Sequence, residues 1–146
     1  KKIAVSSSNL HDAYVRVWNI EKGTVIHTTK QAQDYVATAL AFGPDGHTLA
    51  FACSYRKVVM IYDMRDGRLI QALEHNMKPS GTLLFSPDGK FVLSGYLDET
   101  MKLWDVASKE VIRSMDWDTD GQIAFSPCGR QIAHGNKSHI KLAFLF

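Results

Sequence analysis

No apolar run in the sequence approaches the ~20 residues that a membrane-spanning helix needs, so no transmembrane helix and no membrane partner are expected. Charge of one sign is also missing. The 17 basic and 15 acidic side chains leave +2, which is too little to argue for nucleic acid or an anionic membrane surface. Cysteine is scarce: Cys53 and Cys128 cannot frame a disulfide-rich scaffold, and neither sits in a metal-ligand spacing. Two reduced thiols fit a cytoplasmic or nuclear chain. Lys1-Lys2 precedes too short an apolar stretch for a secretory signal, so the sequon Asn136-Lys137-Ser138 is not expected to carry a glycan. There is no G-x-G-x-x-G, no P-loop, no H-E-x-x-H and no G-x-S-x-G. Nucleotide, zinc-protease and serine-hydrolase readings therefore lack support, the six histidines are scattered, and neither a metal nor a cofactor is expected.

What the chain does have is repetition. Phe42-Gly-Pro-Asp-Gly46, Phe85-Ser-Pro-Asp-Gly89 and Phe125-Ser-Pro-Cys-Gly129 recur at intervals of 43 and 40 residues. Proline pre-sets φ, aspartate can bond its own backbone and glycine accepts positive φ, so each is a turn. Trp18-Asn19, Tyr62-Asp63 and Trp104-Asp105 recur in the same register, and Ala143-Phe144 follows. Between the turns, apolar residues alternate with period two, as in Val92-Ser94-Tyr96 and Met101-Leu103, which predicts strands. One stretch disagrees. Ala32, Tyr35, Val36, Ala39 and Leu40 fall at helical spacing, but the turn at Phe42 sets the repeat register, so strand is expected there too.

Repeats of roughly 40–45 residues with four short strands and a terminal Trp-Asp resemble the blades of WD-repeat β-propellers. The resemblance covers nearly the whole chain and implies an all-β fold of four-stranded antiparallel blades. The blades are expected at 1–30 (strands b, c and d), 31–74, 75–116 and 117–146 (strands a, b and c). Fourteen strands make three and a half blades, an incomplete ring. Ile3 and Val5 at one end, and Leu142 and Phe144 at the other, would lie on open apolar faces. Further blades of a longer chain, or a second copy, would cover them.

The resemblance also implies a hydrogen-bond network in each blade, from a histidine before strand a, a hydroxyl on strand b, an aspartate in the b–c turn and the strand-c tryptophan. His75, Ser94, Asp98 and Trp104 match at all four places, and Ser6, Asp12 and Trp18 at three. The second blade is read with Ala52 for the hydroxyl, Arg56 for aspartate and Tyr62 for tryptophan. The fourth is read with His134, Lys137 and Ala143. Serine, histidine and aspartate also invite a hydrolase triad, but their places in a repeat favour structure, and no catalytic residue is assigned. Arg16, Lys102 and Lys141 form a basic column on strand c that could track phosphates, though it lacks the aromatic interleaving that single-stranded nucleic acid favours.

Propellers of this family present loops. The d–a and b–c loops would gather Tyr35, Tyr55, Arg56, His75, Lys78, Tyr96, Trp117 and Lys137 on one face. Tyrosine, tryptophan and arginine dominate binding hot spots. The reading is a non-catalytic protein–protein interaction module, a scaffold or assembly subunit. An RNA- or ribonucleoprotein-associated propeller is the alternative.

Overall fold

The computed structural model describes residues 1–8, 13–31, 36–117, 121–135 and 139–146. The described residues form strands and turns, with no helix among them. The first sheet holds β1 (Lys2–Ser8), β2 (Ala13–Asn19) and β3 (Thr24–Gln31). The second holds β4 (Ala37–Phe42), β5 (Thr48–Cys53), β6 (Val58–Asp63) and β7 (Arg68–Glu74). The third holds β8 (Pro79–Phe85), β9 (Phe91–Tyr96), β10 (Thr100–Asp105) and β11 (Val111–Asp116). The fourth holds β12 (Gln122–Phe125), β13 (Gln131–Gly135) and β14 (Ile140–Phe144). Each sheet is an antiparallel meander in chain order, and the four do not close a ring. Ala37–Phe42 is a strand despite the helical spacing around it, because its ladder to β5 satisfies its backbone.

The turns explain the repetition. Gly46, Gly89 and Gly129 take φ of 69°, 73° and 71°, a region open to glycine without a Cβ penalty. In the first of these turns, Asp45 Oδ1 accepts the backbone N–H groups of His47 and Thr48 at 2.8 Å each. The outer hairpins repeat as well. Gly23, Gly67 and Lys109 occupy one left-handed position, so in the third sheet a lysine with φ of 64° stands where the others have glycine. A one-residue irregularity recurs before Trp18, Tyr62 and Trp104, where strand c meets strand d.

The core lies in three seams between neighbouring sheets rather than in one centre. Val15, Val17, Leu49, Phe51, Cys53 and Val58 fill the first. Ala50, Ala52, Ile61, Leu83, Val92, Tyr96 and Trp104 fill the second. Leu93, Met101, Leu103, Trp117, Ile132 and Leu145 fill the third. Alternation along β5 and β9 sends successive side chains to opposite seams, so these strands are buried on both faces. The end sheets expose the residues facing away from the seams: Ile3 48%, Val5 46%, Leu142 69% and Phe144 64%.

Candidate functional site

The third sheet carries a buried polar group in the second seam. The Trp104 indole Nε1–H donates to Ser94 Oγ at 3.0 Å, and Ser94 Oγ donates to the Tyr96 hydroxyl at 3.0 Å. All three side chains are buried. Ser94 and Tyr96 share a face because they are two residues apart on β9, and Trp104 joins them across the ladder. Burial pushes the Tyr96 phenol up, against the pull of Ser94 and Trp104. His75 and Asp98 are placed otherwise than the four-membered chain implies. The His75 ring packs on Tyr96 at 4.5 Å and edge-on to Trp104 at 6.2 Å, and its Nδ1 accepts the Met77 N–H at 3.0 Å. Asp98 Oδ1 accepts the Thr100 hydroxyl at 2.7 Å, which holds its carboxyl below the usual range. Burial and the Lys102 ammonium hold His75 below the ordinary histidine value, opposed by the charge of Asp98. Tyr96 thus takes the place in the polar chain assigned to histidine. Its parity with Ser94 was the signal that could have found it.

The ladder corrects the register of the other sheets. Trp18, Tyr62, Trp104 and Ala143 lie opposite Ile3, Leu49, Val92 and Ile132. Two residues further along strand b stand Val5, Phe51, Ser94 and His134, opposite Arg16, Met60, Lys102 and Lys141. Ser6 and Ala52 are each one residue out of register with Ser94. Ser6 pairs with Val15, and Ala52 points into the second seam rather than the first. Phe51 stacks on Tyr62 at 5.2 Å and 18°, so an aromatic pair stands where the third sheet has its Ser–Trp bond. Phe51, Ser94 and His134 each follow their turn phenylalanine at the same distance, which would have revealed the slip.

The fourth sheet rearranges the same positions. The backbone N–H of Trp117 bonds Glu99 O at 2.7 Å, as that of His75 bonds Lys57 O at 3.0 Å, so Trp117 holds the place of His75. Its ring meets His134 edge-on at 5.4 Å. Trp117 is 6% exposed and Tyr96 1%, so neither belongs to an exposed partner face. Trp117 packs with Leu93, Met101 and Ile132 in the third seam, where Ala143 lies against the same cluster, and Tyr96 is held under His75. Asp12, Tyr35 and Lys137 lie outside the described residues.

Tyr55, Arg56, His75 and Lys78 remain on the loop face. Tyr55 is 72% exposed, with Lys78 Nζ 5.9 Å from its ring centre. Arg56, Lys57, Glu74, His75 and Asn76 line an open cleft of about 590 Å³ at the β5–β6 turn and the end of β7. Leu97, 63% exposed, and Met77, 37% exposed, present apolar surface from the same loops. The arrangement can hold an acidic and apolar surface. No group of three or more metal-ligating side chains gathers among the described residues. Likewise, among the described residues, no helix is long and apolar enough to cross a membrane.

Comparison with known proteins agrees with this geometry. Residues 51–137 match the family model for eukaryotic translation initiation factor eIF2A, and residues 3–80 match that for the anaphase-promoting complex subunit 4 WD40 domain. The Intraflagellar transport protein 122 homolog of Danio rerio is 31% identical over 94 residues, covering 64% of this chain and 8% of that protein. Nuclear distribution protein PAC1 of Fusarium vanettenii is 27% identical over 127 residues, covering 78% of this chain and 28% of that protein. Periodic tryptophan protein 2 of Arabidopsis thaliana is 28% identical over 126 residues, covering 84% and 14%. The chain therefore spans a small part of the length of these relatives. With a WD40 domain model matched over more than half its length and four-stranded antiparallel sheets repeating on one register, the chain belongs to the WD-repeat β-propeller family.

Proposed function

We propose that the chain is a non-catalytic protein–protein interaction module, part of a scaffold or assembly subunit. The observation that carries this reading is the loop face. Exposed Tyr55 and Leu97 stand on strand b–c turns, one of which also lines a cleft with Arg56, Lys57 and His75, and aromatic and arginine side chains beside apolar surface are what interface hot spots are made of. A non-catalytic role is supported by Ser94, which is fully buried and spends its hydroxyl on Trp104 and Tyr96. The apolar end faces at Ile3 and Val5, and at Leu142 and Phe144, fit packing against further blades of a longer polypeptide or a second copy. A cytoplasmic or nuclear setting accords with a buried, reduced Cys53.

The test places a photo-crosslinking side chain at Tyr55 or Leu97, with Thr24 on the outer rim as the control. Crosslinks to a defined protein from the loop positions alone, lost with Arg56→Glu, support the reading; equal crosslinking from Thr24 refutes it. The second reading, an RNA-associated propeller, draws on the match to a translation initiation factor model. It requires binding to single-stranded RNA that falls steeply with salt, because phosphate contacts release counterions. The near-balanced charge favours the first reading.

A further inference from the structure

The three seams share one register, so their fillings can be compared position by position. At the end of each seam near the a–b turns, strand b begins with a side chain facing the next sheet. These residues are Lys2, Thr48 and Phe91, which lie opposite Asn19, Asp63 and Asp105. In two of the seams a side chain reaches across to the next sheet there. In the first, Lys2 Nζ donates to Gly46 O at 3.1 Å and lies 3.3 Å from His47 Nδ1. In the third, the Phe91 ring packs on Phe146 at 5.1 Å.

The second seam is open. Thr48 stands where the third seam has Phe91, and its hydroxyl is turned back to donate to Asp45 Oδ2 at 2.6 Å. Ala107 stands where the third seam has Phe146. The preceding residues, Val106 and Leu145, fix that match, because their N–H groups bond Lys90 O at 3.0 Å and Arg130 O at 2.8 Å. Two aromatic rings are thereby replaced by a threonine and an alanine. A cavity of about 250 Å³ lies at this end of the seam, walled by Ile61, Ile70, Phe85 and Val106. Thr48, Asp45, Asp88 and the turn residues Gly43, Pro44 and Gly89 complete the wall, and among the described residues no basic side chain lines it. Both carboxyls lie below the usual range. For Asp45, bonds from Thr48 and His47 outweigh the effect of burial; for Asp88, the main cause is the Ser86 hydroxyl.

We propose that this cavity is a docking site for an aromatic side chain of a partner protein, carried on a segment with a basic residue beside it. The chain supplies the template for the occupant: at the same place in the third seam the half-buried Phe91 ring packs against Phe146, which is 65% exposed. The size suffices, since an apolar cavity of about 150 Å³ takes up benzene. The two carboxylates on the wall, whose charge neighbours His47, Arg65 and Lys90 stand outside the lining, favour a cation over an acid in the flanking position. The cavity lies at the a–b turns, at the opposite end of the strands from Tyr55 and Arg56, so the proposal does not depend on the loop face.

The test uses the 146-residue chain with labelled methyl groups and three probes: acetyl-Gly-Phe-Arg-Gly-amide and its counterparts with alanine for phenylalanine and with glutamate for arginine. Saturable shifts at Ile61, Ile70 and Val106 are expected with the first probe. The alanine and glutamate probes should each bind about tenfold more weakly, the effect of losing one anchor contact. Thr48→Phe, which fills the cavity, should abolish the shifts. Ile70→Ser, at a position already 39% exposed, should weaken binding while the thermal melt stays cooperative. The proposal is overturned by no saturable shift at these methyls, by shifts confined to the Tyr55–Arg56 loops, by equal affinity for the alanine or glutamate probe, or by binding that survives both substitutions.

Discussion

Ser94→Ala tests whether the polar group in the second seam supports the fold. Ser94 Oγ accepts from Trp104 Nε1 and donates to the Tyr96 hydroxyl, both at 3.0 Å, and all three residues are buried. Alanine removes one acceptor and one donor at once. The indole N–H loses the Ser94 acceptor at 3.0 Å, at a cost of ~1–3 kcal/mol. The tyrosine hydroxyl loses the Ser94 donor but keeps a rotatable hydrogen, so its share is smaller, about 1 kcal/mol. A small gain from removing a buried hydroxyl offsets part of this. The expected loss is about 2–3 kcal/mol, read as a lower urea midpoint at unchanged m-value.

A double-mutant cycle isolates the contact. Trp104→Phe removes the N–H donor, so Ser94→Ala should cost about 1–1.5 kcal/mol less on that background than on the parent. Trp104→Phe has its own cost from lost volume, and the cycle cancels it. Coincident fluorescence and circular-dichroism transitions establish that a two-state treatment applies. A loss below about 0.5 kcal/mol for Ser94→Ala, or a cycle additive to within ~0.5 kcal/mol, refutes the argument. Either result would mean that the seam is held by apolar packing alone.

Four further outcomes are expected. Trp104→Ala should cost ~3–5 kcal/mol and Tyr62→Ala less, because Trp104 is buried and Tyr62 only half-buried; urea melts giving equal losses would contradict this. Lys109→Gly should stabilise by about 0.5–1 kcal/mol in the same melts, since Lys109 sits at φ of 64° where Gly23 and Gly67 occupy the matching turns. Iodoacetamide should modify Cys128 well before Cys53. The Ser126 hydroxyl and the Arg130 backbone hold the exposed Cys128 thiol down, whereas burial pushes Cys53 up to about 12; mass spectrometry finding the reverse order would overturn this. Finally, the folded-state pKa values of Asp45, Asp63, Asp88 and Asp98 are all depressed, Asp63 chiefly by its hydrogen-bonded ion pair with Arg65. The stability they contribute is present above the unfolded carboxylate value and lost as pH falls through the folded values, so melting temperature should drop on acidification below about pH 4.

The turns and strands were legible because their signals are local. Pro-Asp-Gly dictates a backbone path, and Val92, Ser94 and Tyr96 announce their shared face by parity alone. Which residue stands in Ser94's place in the other sheets was less legible. The b–c turns differ in length, so counting back from Trp18 or Tyr62 slips by one residue, and a slip of one lands on the opposite face. That is how Ser6 and Ala52 were read in place of Val5 and Phe51. Trp117 was misjudged for a different reason. Its place between a strand d and the next strand a suggested the loop face, but it is buried among Leu93, Met101 and Ile132, residues distant in sequence. Only pairing in three dimensions reveals such neighbours.

The seams show why one backbone register tolerates these exchanges. Turns and ladder bonds fix where each Cβ points, so a seam asks only that the facing side chains fill its volume. The third sheet fills its network positions with His75, Ser94 and Trp104, and the fourth fills the same positions with Trp117, His134 and Ala143. The indole moves from strand c to the residue before strand a, and the volume is kept. The hydrogen bonds are not kept, because Trp117 Nε1 and His134 Nε2 are buried without partners among the described residues. Volume is therefore the stricter constraint in this chain and polar pairing the looser one. Where a seam breaks even the volume rule, as at Thr48 and Ala107, the unfilled space has a shape set by its neighbours, and that shape is what a binding partner can read.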